Sequence, residues 1–547
     1  MARSDSGTVS PPGGSGLTSG LGEAMRLDLN TGQSVYSLPL KVPKGVADHT
    51  PSLRLEYSGS APNGPFGLGW RLPVRAIHRR LDLGVPDDGP GAPPVRERFR
   101  DGDLELAALA DGSFAPMVET AFHRYERVGE GWIITERSGV RHELGTTAAT
   151  RVSHPSHPDR IVAWLLARSI DTSGNEIAFS YAELGDRPGT PVLTSIRWAA
   201  YRLDIEYGPR PDTLRDGRAG FLRELAHRAT SITVAHVDGE TVEPIRSWSL
   251  SYDDDPASGA SLLAGITVRG HRQGADVALP PVRFRYGSFD PTDITVRLMD
   301  HEGSTPPPLD DPDTTLATLD DSALPGVLQV HGGVHVYWPN VDGSTFGPPR
   351  VQRDAPNVDA LGRAGAQLLD TDGNGTPDLV VAAGGGRLRG YYRNGGSQGW
   401  RDFVAYPRGA GDDPPWGAGA RPLDLNGDGV VDAVAPVGRS LGRWVNQGAA
   451  GWLAPTVTAT PEVDGRRVDL TDPLVRFADM TGDGLLDLVE IRSGGLRYWP
   501  SLGNGHFAEP VLMASTPRLA GASDDPAGVV LVDLSGDGCA DLVQLSG

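Results

Sequence analysis

Four short acidic segments recur along the C-terminal half of this 547-residue chain. They begin at Asp370, Asp424, Asp479 and Asp533, so successive copies lie 54, 55 and 54 residues apart. Each copy obeys the pattern D-x-[DNST]-x-[DN]-G-x-x-D. Oxygen-bearing side chains at positions 1, 3, 5 and 9 of a tight loop can face one centre, and the glycine at position 6 allows a positive φ. Hard oxygen donors in such a loop suit Ca²⁺ better than Mg²⁺, which demands stricter octahedral geometry.

The pattern therefore predicts about four Ca²⁺ sites, with the position-7 residue offering its backbone carbonyl. Thr481 and Ser535 stand at position 3 of the third and fourth loops, where they are weaker ligands than a carboxylate. Acidic turns that bind no ion remain the alternative. The candidate ligands are Asp370, Asp372, Asn374, Thr376 and Asp378; Asp424, Asn426, Asp428, Val430 and Asp432; Asp479, Thr481, Asp483, Leu485 and Asp487; and Asp533, Ser535, Asp537, Cys539 and Asp541.

Strands, not helices, are expected on both sides of each loop. An EF-hand needs a bidentate Glu at position 12, but three of the four copies have Val381, Ala435 or Gln544 there. About four strands fit into each repeat of some 54 residues, as in a β-propeller blade. An earlier copy at Asp320 is degenerate, and we expect no ion there. About four and a half blades are predicted, with the recurring aromatic residues packed between them.

Composition favours an all-β protein without nucleic-acid partners. The chain has 72 glycines and 46 prolines, which indicate many turns. Its net charge of −20 argues against binding to nucleic acid or anionic membranes. Cys539 is the single cysteine, so no internal disulfide can form. Nearby carboxylates should raise the pKa of its thiol, which disfavours a nucleophilic role. No membrane-spanning run and no Sec-type signal peptide are recognised in the sequence.

The N-terminal half alternates apolar and polar residues between turn signals, which indicates many strands. We expect a disordered segment at 1–20, a β-rich domain at 21–290 and propeller repeats at 291–547. The stretch PNGPFGLGW (residues 62–70) should form a structural corner that buries Phe66 and Trp70. The acidic stretch DGDLE (residues 101–105) should be a solvated turn. No catalytic motif is found, and no catalytic residue is predicted.

Two resemblances accompany these patterns. Residues 31–45 (TGQSVYSLPLKVPKG), 51–70 (PSLRLEYSGSAPNGPFGLGW), 161–181 and 279–289 resemble, in order, the N-terminal domain of the SpvB-like family. This family includes the Salmonella virulence plasmid B proteins and the B components of insecticidal toxin complexes. The acidic repeats resemble the FG-GAP/VCBS family, whose integrin-type propellers carry Ca²⁺ in Asp loops of this kind.

The resemblances imply a non-catalytic structural and docking part of a toxin-complex B component or related virulence protein. The implied partners are other toxin-complex components or a remaining part of the polypeptide. Export from a cytoplasmic pool by a route without a signal peptide is expected. The alternative is a stand-alone, Ca²⁺-dependent, integrin-like protein for adhesion or ligand binding.

Overall fold

The computed structural model describes residues 25–29, 32–86, 98–185, 189–272, 276–287, 289–290, 293, 295, 297–320, 322, 324–358, 361, 366–382, 389–407, 411, 413–416, 419–513, 516–519 and 528–545. Within these ranges there is no α-helix, which confirms the all-β prediction. Helical turns are of the short 3₁₀ type, at Val46–Asp48, Leu81–Leu83, Ala148–Thr150, Gly396–Gln398 and Gly448–Ala450. No helix in the described ranges is long and apolar enough to cross a membrane. The predicted disordered segment 1–20 lies outside them.

A small antiparallel sheet begins the fold. Its strands, in spatial order, are β1 (Arg26–Leu27), β2 (Ser34–Pro39), β3 (Arg54–Ser58) and β4 (Trp70–Arg71). The corner prediction for residues 62–70 is confirmed, because Phe66 and Trp70 are 4% and 2% exposed and belong to the first hydrophobic core. A Cβ at Gly67 would lie 2.6 Å from the Ser261 carbonyl oxygen, so this corner sits directly against a later strand.

Seventeen strands in the described part of the next region close into one barrel. They are β5 (Ala76–Arg79), β6 (Phe99–Asp101), β7 (Leu104–Ala108), β8 (Phe114–Pro116), β9 (Arg124–Val128), β10 (Gly131–Thr135), β11 (Arg141–Leu144), β12 (Arg151–His154), β13 (His157–Ile170), β14 (Glu176–Ala182), β15 (Val192–Trp198), β16 (Tyr201–Asp216), β17 (Arg223–Asp238), β18 (Thr241–Asp254), β19 (Ser261–Gly270), β20 (Val277–Ala278) and β21 (Val282–Arg283). The hairpin of β16 and β17 is the longest, with Tyr201 paired to His236 at one end and Asp216 paired to Arg223 at the other.

The expectation of a solvated turn at residues 101–105 is wrong for its first residue. Asp101 ends β6 and is buried. Its carboxylate accepts hydrogen bonds from the Arg75 guanidinium at 2.7 and 2.9 Å and from the Tyr125 hydroxyl at 2.9 Å. A buried carboxylate needs such partners, and they come from the residue before β5 and from β9, which the local sequence around Asp101 does not identify.

The C-terminal region consists of successive small antiparallel sheets. Its strands are β22 (Asp300–His301), β23 (Thr314–Ala317), β24 (Gly326–His331), β25 (Val334–Trp338), β26 (Thr345–Phe346), β27 (Arg350–Val351), β28 (Ala366–Leu369), β29 (Asp378–Ala382), β30 (Arg389–Asn394), β31 (Trp400–Ala405), β32 (Arg421–Leu423), β33 (Asp432–Val437), β34 (Ser440–Trp444), β35 (Thr456–Ala459), β36 (Glu462–Val463), β37 (Arg466–Arg467), β38 (Val475–Ala478), β39 (Asp487–Arg492), β40 (Gly495–Trp499), β41 (Val511–Leu512), β42 (Val529–Val532) and β43 (Asp541–Gln544).

Four of these sheets have four strands each: β23–β24–β25–β27, β28 to β31, β32 to β35, and β38 to β41. The short pairs β22–β26, β36–β37 and β42–β43 complete the described strands. Each hydrophobic core lies between neighbouring sheets. Trp400 packs with Leu328 and Tyr337 of the preceding sheet, and Trp452 packs with Tyr391 in the same way. The aromatic residues therefore pack between repeats, as predicted.

Candidate cation-binding loops

Each acidic segment connects the first two strands of a sheet. The loops, numbered first to fourth in chain order, join β28 to β29, β32 to β33, β38 to β39 and β42 to β43. The residue before position 1 pairs with the Asp at position 9 in all four, for example Leu369 with Asp378 and Val532 with Asp541. Strands therefore bracket the loops, and the exclusion of an EF-hand is confirmed.

The loops share one backbone conformation. The carboxylate at position 1 accepts backbone N–H groups from the residues at positions 4 and 6, at 2.6–2.9 Å in every copy. Glycine occupies both positions, with φ of about +73° to +90°. The positive φ predicted at position 6 is confirmed. The equal requirement at position 4 was missed, although the invariant Gly373, Gly427, Gly482 and Gly536 were visible in the sequence.

The side chain at position 5 is also held by hydrogen bonds within the loop. Its Oδ1 atom accepts the backbone N–H of position 7 at 2.8 Å in all four loops, from Thr376, Val430, Leu485 and Cys539. Local amides thus bind and orient many of the acidic oxygens. The conformation is set by contacts within nine residues, so the loops are pre-shaped by their own sequence.

Position 9 connects each of the first three loops to a later turn. Asp378, Asp432 and Asp487 are 1%, 1% and 0% exposed. Their Oδ1 atoms accept the backbone N–H groups of Asn394, Asn446 and Ser501, at 3.0, 2.9 and 2.7 Å. In the fourth loop the corresponding Asp541 is only half-buried.

The second oxygen at position 9 separates the first two loops from the last two. The Oδ2 atoms of Asp378 and Asp432 are buried without a hydrogen-bond partner. In contrast, Asp487 Oδ2 accepts the Met480 N–H at 2.8 Å. Asp541 Oδ2 accepts two backbone N–H groups, at 3.0 and 3.2 Å. A cation would satisfy the unpartnered oxygens of the first and second loops, whereas the protein backbone already serves this purpose in the other two.

Burial raises the pKa of these position-9 carboxyls. The pKa rises to about 6 for Asp378, about 7 for Asp432 and about 8 for Asp487, because burial disfavours the charged form and nearby carboxylates add repulsion. No group of three or more His, Cys, Asp or Glu side chains is arranged to hold a metal ion in the described part of the chain. The fit to Ca²⁺ therefore rests on the buried, unpartnered oxygens of the first two loops.

The position-7 residues have a packing role that the sequence did not predict. A Cβ built on Gly373 would lie 3.4 Å from Val430 Cγ2, one on Gly427 would lie 2.9 Å from Leu485 Cδ2, and one on Gly482 would lie 3.1 Å from Cys539 Sγ. The position-7 side chains of the second, third and fourth loops thus pack on the position-4 glycine of the preceding loop, and the four loops form a row. Burial and the surrounding carboxylates raise the pKa of the Cys539 thiol to about 12, in the predicted direction.

Comparisons with known proteins agree with both resemblances. A family model described as Salmonella virulence plasmid 65kDa B protein matches residues 29–89 and 110–194. A model described as FG-GAP-like repeat matches residues 370–435 and 479–543. The mono(ADP-ribosyl)transferases SpvB of Salmonella typhimurium and Salmonella dublin are 34% identical over 176 residues, which cover 27% of this chain and 29% of those proteins. The similarity is confined to their N-terminal part.

Solved structures show the same fold. The chain is similar, with a TM-score of 0.81 and 22% identity, to a chain in the Photorhabdus luminescens Tc holotoxin pore, over 100% of this chain and 29% of that one. The chain is also similar to a chain of the TcdB2–TccC3 structure, with a TM-score of 0.59 and 21% identity. This similarity covers 99% of the present chain and 32% of the TcdB2–TccC3 chain. The chain thus spans about a third or less of the length of these relatives and solved chains. It carries an SpvB-like N-terminal domain followed by FG-GAP-like repeats.

Proposed function

We propose that this chain is a non-catalytic structural and docking part of a bacterial toxin complex or a related virulence protein. The observation that carries this proposal is the similarity of fold over the whole chain to part of the Tc holotoxin pore. The order of an SpvB-like domain and FG-GAP-like repeats supports it. The transferase activity in the name of the SpvB relatives is not transferred to this chain, because the similarity covers only their N-terminal part.

We further propose that the repeats form a β-propeller that Ca²⁺ stabilises. The successive four-stranded sheets with cores between them support this arrangement. In the first loop Asp370, Asp372, Asn374, Asp378 and the Thr376 carbonyl would hold the ion. The equivalent residues of the second loop are Asp424, Asn426, Asp428, Val430 and Asp432. The bound ion would neutralise carboxylates whose burial is otherwise unfavourable.

The protein partners would be other toxin-complex components or a further part of the same polypeptide. Extracellular action goes with this role. The test is to co-express the chain with the toxin-complex subunits encoded near its gene and to measure the masses of the complexes by size-exclusion chromatography with light scattering. We expect a stoichiometric complex with one of these subunits, and none with an unrelated β-propeller used as a control.

The result also separates the two function classes. The docking role would be contradicted if the chain bound none of the neighbouring subunits. EDTA-sensitive binding to host cells or glycans in that case would favour stand-alone adhesion. Transfer of ADP-ribose from labelled NAD⁺ to host proteins by the purified chain would contradict the non-catalytic assignment.

A further inference from the structure

Two segments of the barrel region reach the row of acidic loops. The first contains Val85, whose backbone N–H donates to the Asn426 carbonyl oxygen of the second loop at 2.6 Å. The second is the turn at residues 217–220 between β16 and β17, where the Gly217 N–H donates to Asp483 Oδ2 of the third loop at 2.6 Å. Strand β16 and the third loop are therefore joined although 266 residues separate the bonded groups.

In the third loop, backbone amides serve both buried carboxylates. Asp483 is 8% exposed, and its two oxygens accept the N–H groups of Gly217 and Leu485. Asp487 likewise accepts one N–H group at each oxygen, from Ser501 and Met480. Backbone N–H bonds favour the charged form of a buried carboxyl, so they offset part of its burial cost without a metal. The second loop differs, because Asp432 Oδ2 is buried without a partner.

Close backbone packing surrounds this contact. A Cβ at Gly217 would lie 1.8 Å from the Ser501 carbonyl oxygen, so any larger residue would push the turn away from the repeats. A Cβ at Gly503 would similarly lie 2.5 Å from Val85 Cγ2. The Asn504 side-chain amide donates to the Val85 carbonyl at 3.3 Å. The two barrel segments and the residues after β40 thus form one tightly packed joint.

Charge complements the packing. Arg218, in the same turn, pairs with Asp216 at 2.9 Å. The carboxylates of Asp483 and Asp479 also raise the pKa of the Arg218 guanidinium, after the larger effect of Asp216. The barrel therefore presents an amide donor and the Arg218–Asp216 ion pair to the third loop. The amide bond satisfies an Asp483 oxygen that a bound cation would otherwise contact.

We propose that the third acidic loop is an intramolecular docking site for the barrel turn at residues 217–220, and not a cation site. The partner of this surface is the turn itself, recognised through the Gly217 N–H group and the absence of a side chain there. The loop has kept the acidic pattern of its neighbours while its carboxylates bind protein donors. The joint between barrel and repeats then holds without Ca²⁺, so this proposal does not depend on the calcium proposal above.

The main test is Gly217→Ala in the full chain, measured by hydrogen–deuterium exchange in EDTA. The added methyl group should break the joint and increase exchange at least tenfold in peptides covering residues 215–220 and 500–504. Gly287→Ala is the matched control, because its Cβ would meet no atom within 4 Å and its φ is ordinary. Unchanged exchange in Gly217→Ala would overturn the proposal. If the Gly217→Ala variant does not fold, Asp483→Asn takes its place in the experiment. This second variant keeps the backbone of the turn and weakens the same hydrogen bond.

Calcium stoichiometry gives the second test. Equilibrium dialysis against Ca²⁺ should give the same number of bound ions for Asp483→Asn as for the unmodified chain, with faster exchange at residues 215–220. Loss of one bound Ca²⁺ with an intact joint would overturn the docking role. If the unmodified chain binds no Ca²⁺, the calcium proposal fails, and exchange in the Gly217→Ala variant alone decides the docking proposal.

Discussion

Substituting Asp432→Asn removes a buried charge while preserving the size of the side chain. Asp432 Oδ1 accepts the Asn446 N–H at 2.9 Å, and an asparagine oxygen can keep that bond. The other carboxylate oxygen is buried without a partner. Without a cation, the charge is therefore a cost to folding, and the variant should be more stable than the unmodified chain.

The size of the effect follows from the pKa. Burial raises the pKa of Asp432 from 3.8 to about 7, and each pKa unit corresponds to about 1.4 kcal/mol. Because the folded pKa is raised, the ionised carboxyl destabilises the fold as pH rises through this window, and the cost reaches about 4 kcal/mol at pH 8. The new amide nitrogen would be buried without an acceptor, at a cost of about 1–3 kcal/mol. A net gain of about 1–3 kcal/mol is expected.

Calcium should offset most or all of the variant's advantage. If the ion binds only the folded loop, a hundredfold excess over Kd stabilises the unmodified chain by about 2.7 kcal/mol, and the variant loses most of this gain. The assay is urea unfolding of the repeat region at pH 8, in EDTA and in Ca²⁺. Asp464→Asn is the control, because its side chain is 87% exposed, so removing that charge relieves no burial cost and should change stability little. A variant at residue 432 that is less stable than the unmodified chain in EDTA would refute the reasoning.

Three further predictions concern the repeats. Chelation should lower the melting temperature of the repeat region more than that of the barrel, and equal calorimetric shifts in both would contradict this. Gly429→Ala should destabilise the second loop by about 1 kcal/mol in urea unfolding, since φ is +82° there, whereas Gly495→Ala, with ordinary φ and open space, should cost less. His335 is buried, accepts the Trp400 indole N–H at 2.9 Å and has its pKa lowered to about 4 by burial. Stability should therefore fall as pH drops from about 6.5 towards 4, and His335→Gln should reduce this slope if the imidazole is responsible.

The sequence alone determined the features that depend on near neighbours. The conformation of each acidic loop can be predicted from the sequence, because its nine residues contain both the turn glycines and the side-chain oxygens that bind local amides. Gly429 needs its positive φ whatever surrounds it, so the pattern predicts the loop directly. The strands on either side follow from apolar runs bounded by turns, and the all-β class follows from their number.

The tertiary structure decided how each carboxylate is satisfied. Asp432 and Asp487 occupy the same position of the same pattern, yet one keeps an unpartnered oxygen and the other accepts two backbone amides. Asp483 receives its donor from Gly217, far away in the sequence. A local pattern cannot reveal such donors, because the free energy of a buried charge depends on every group that folding brings into contact with it.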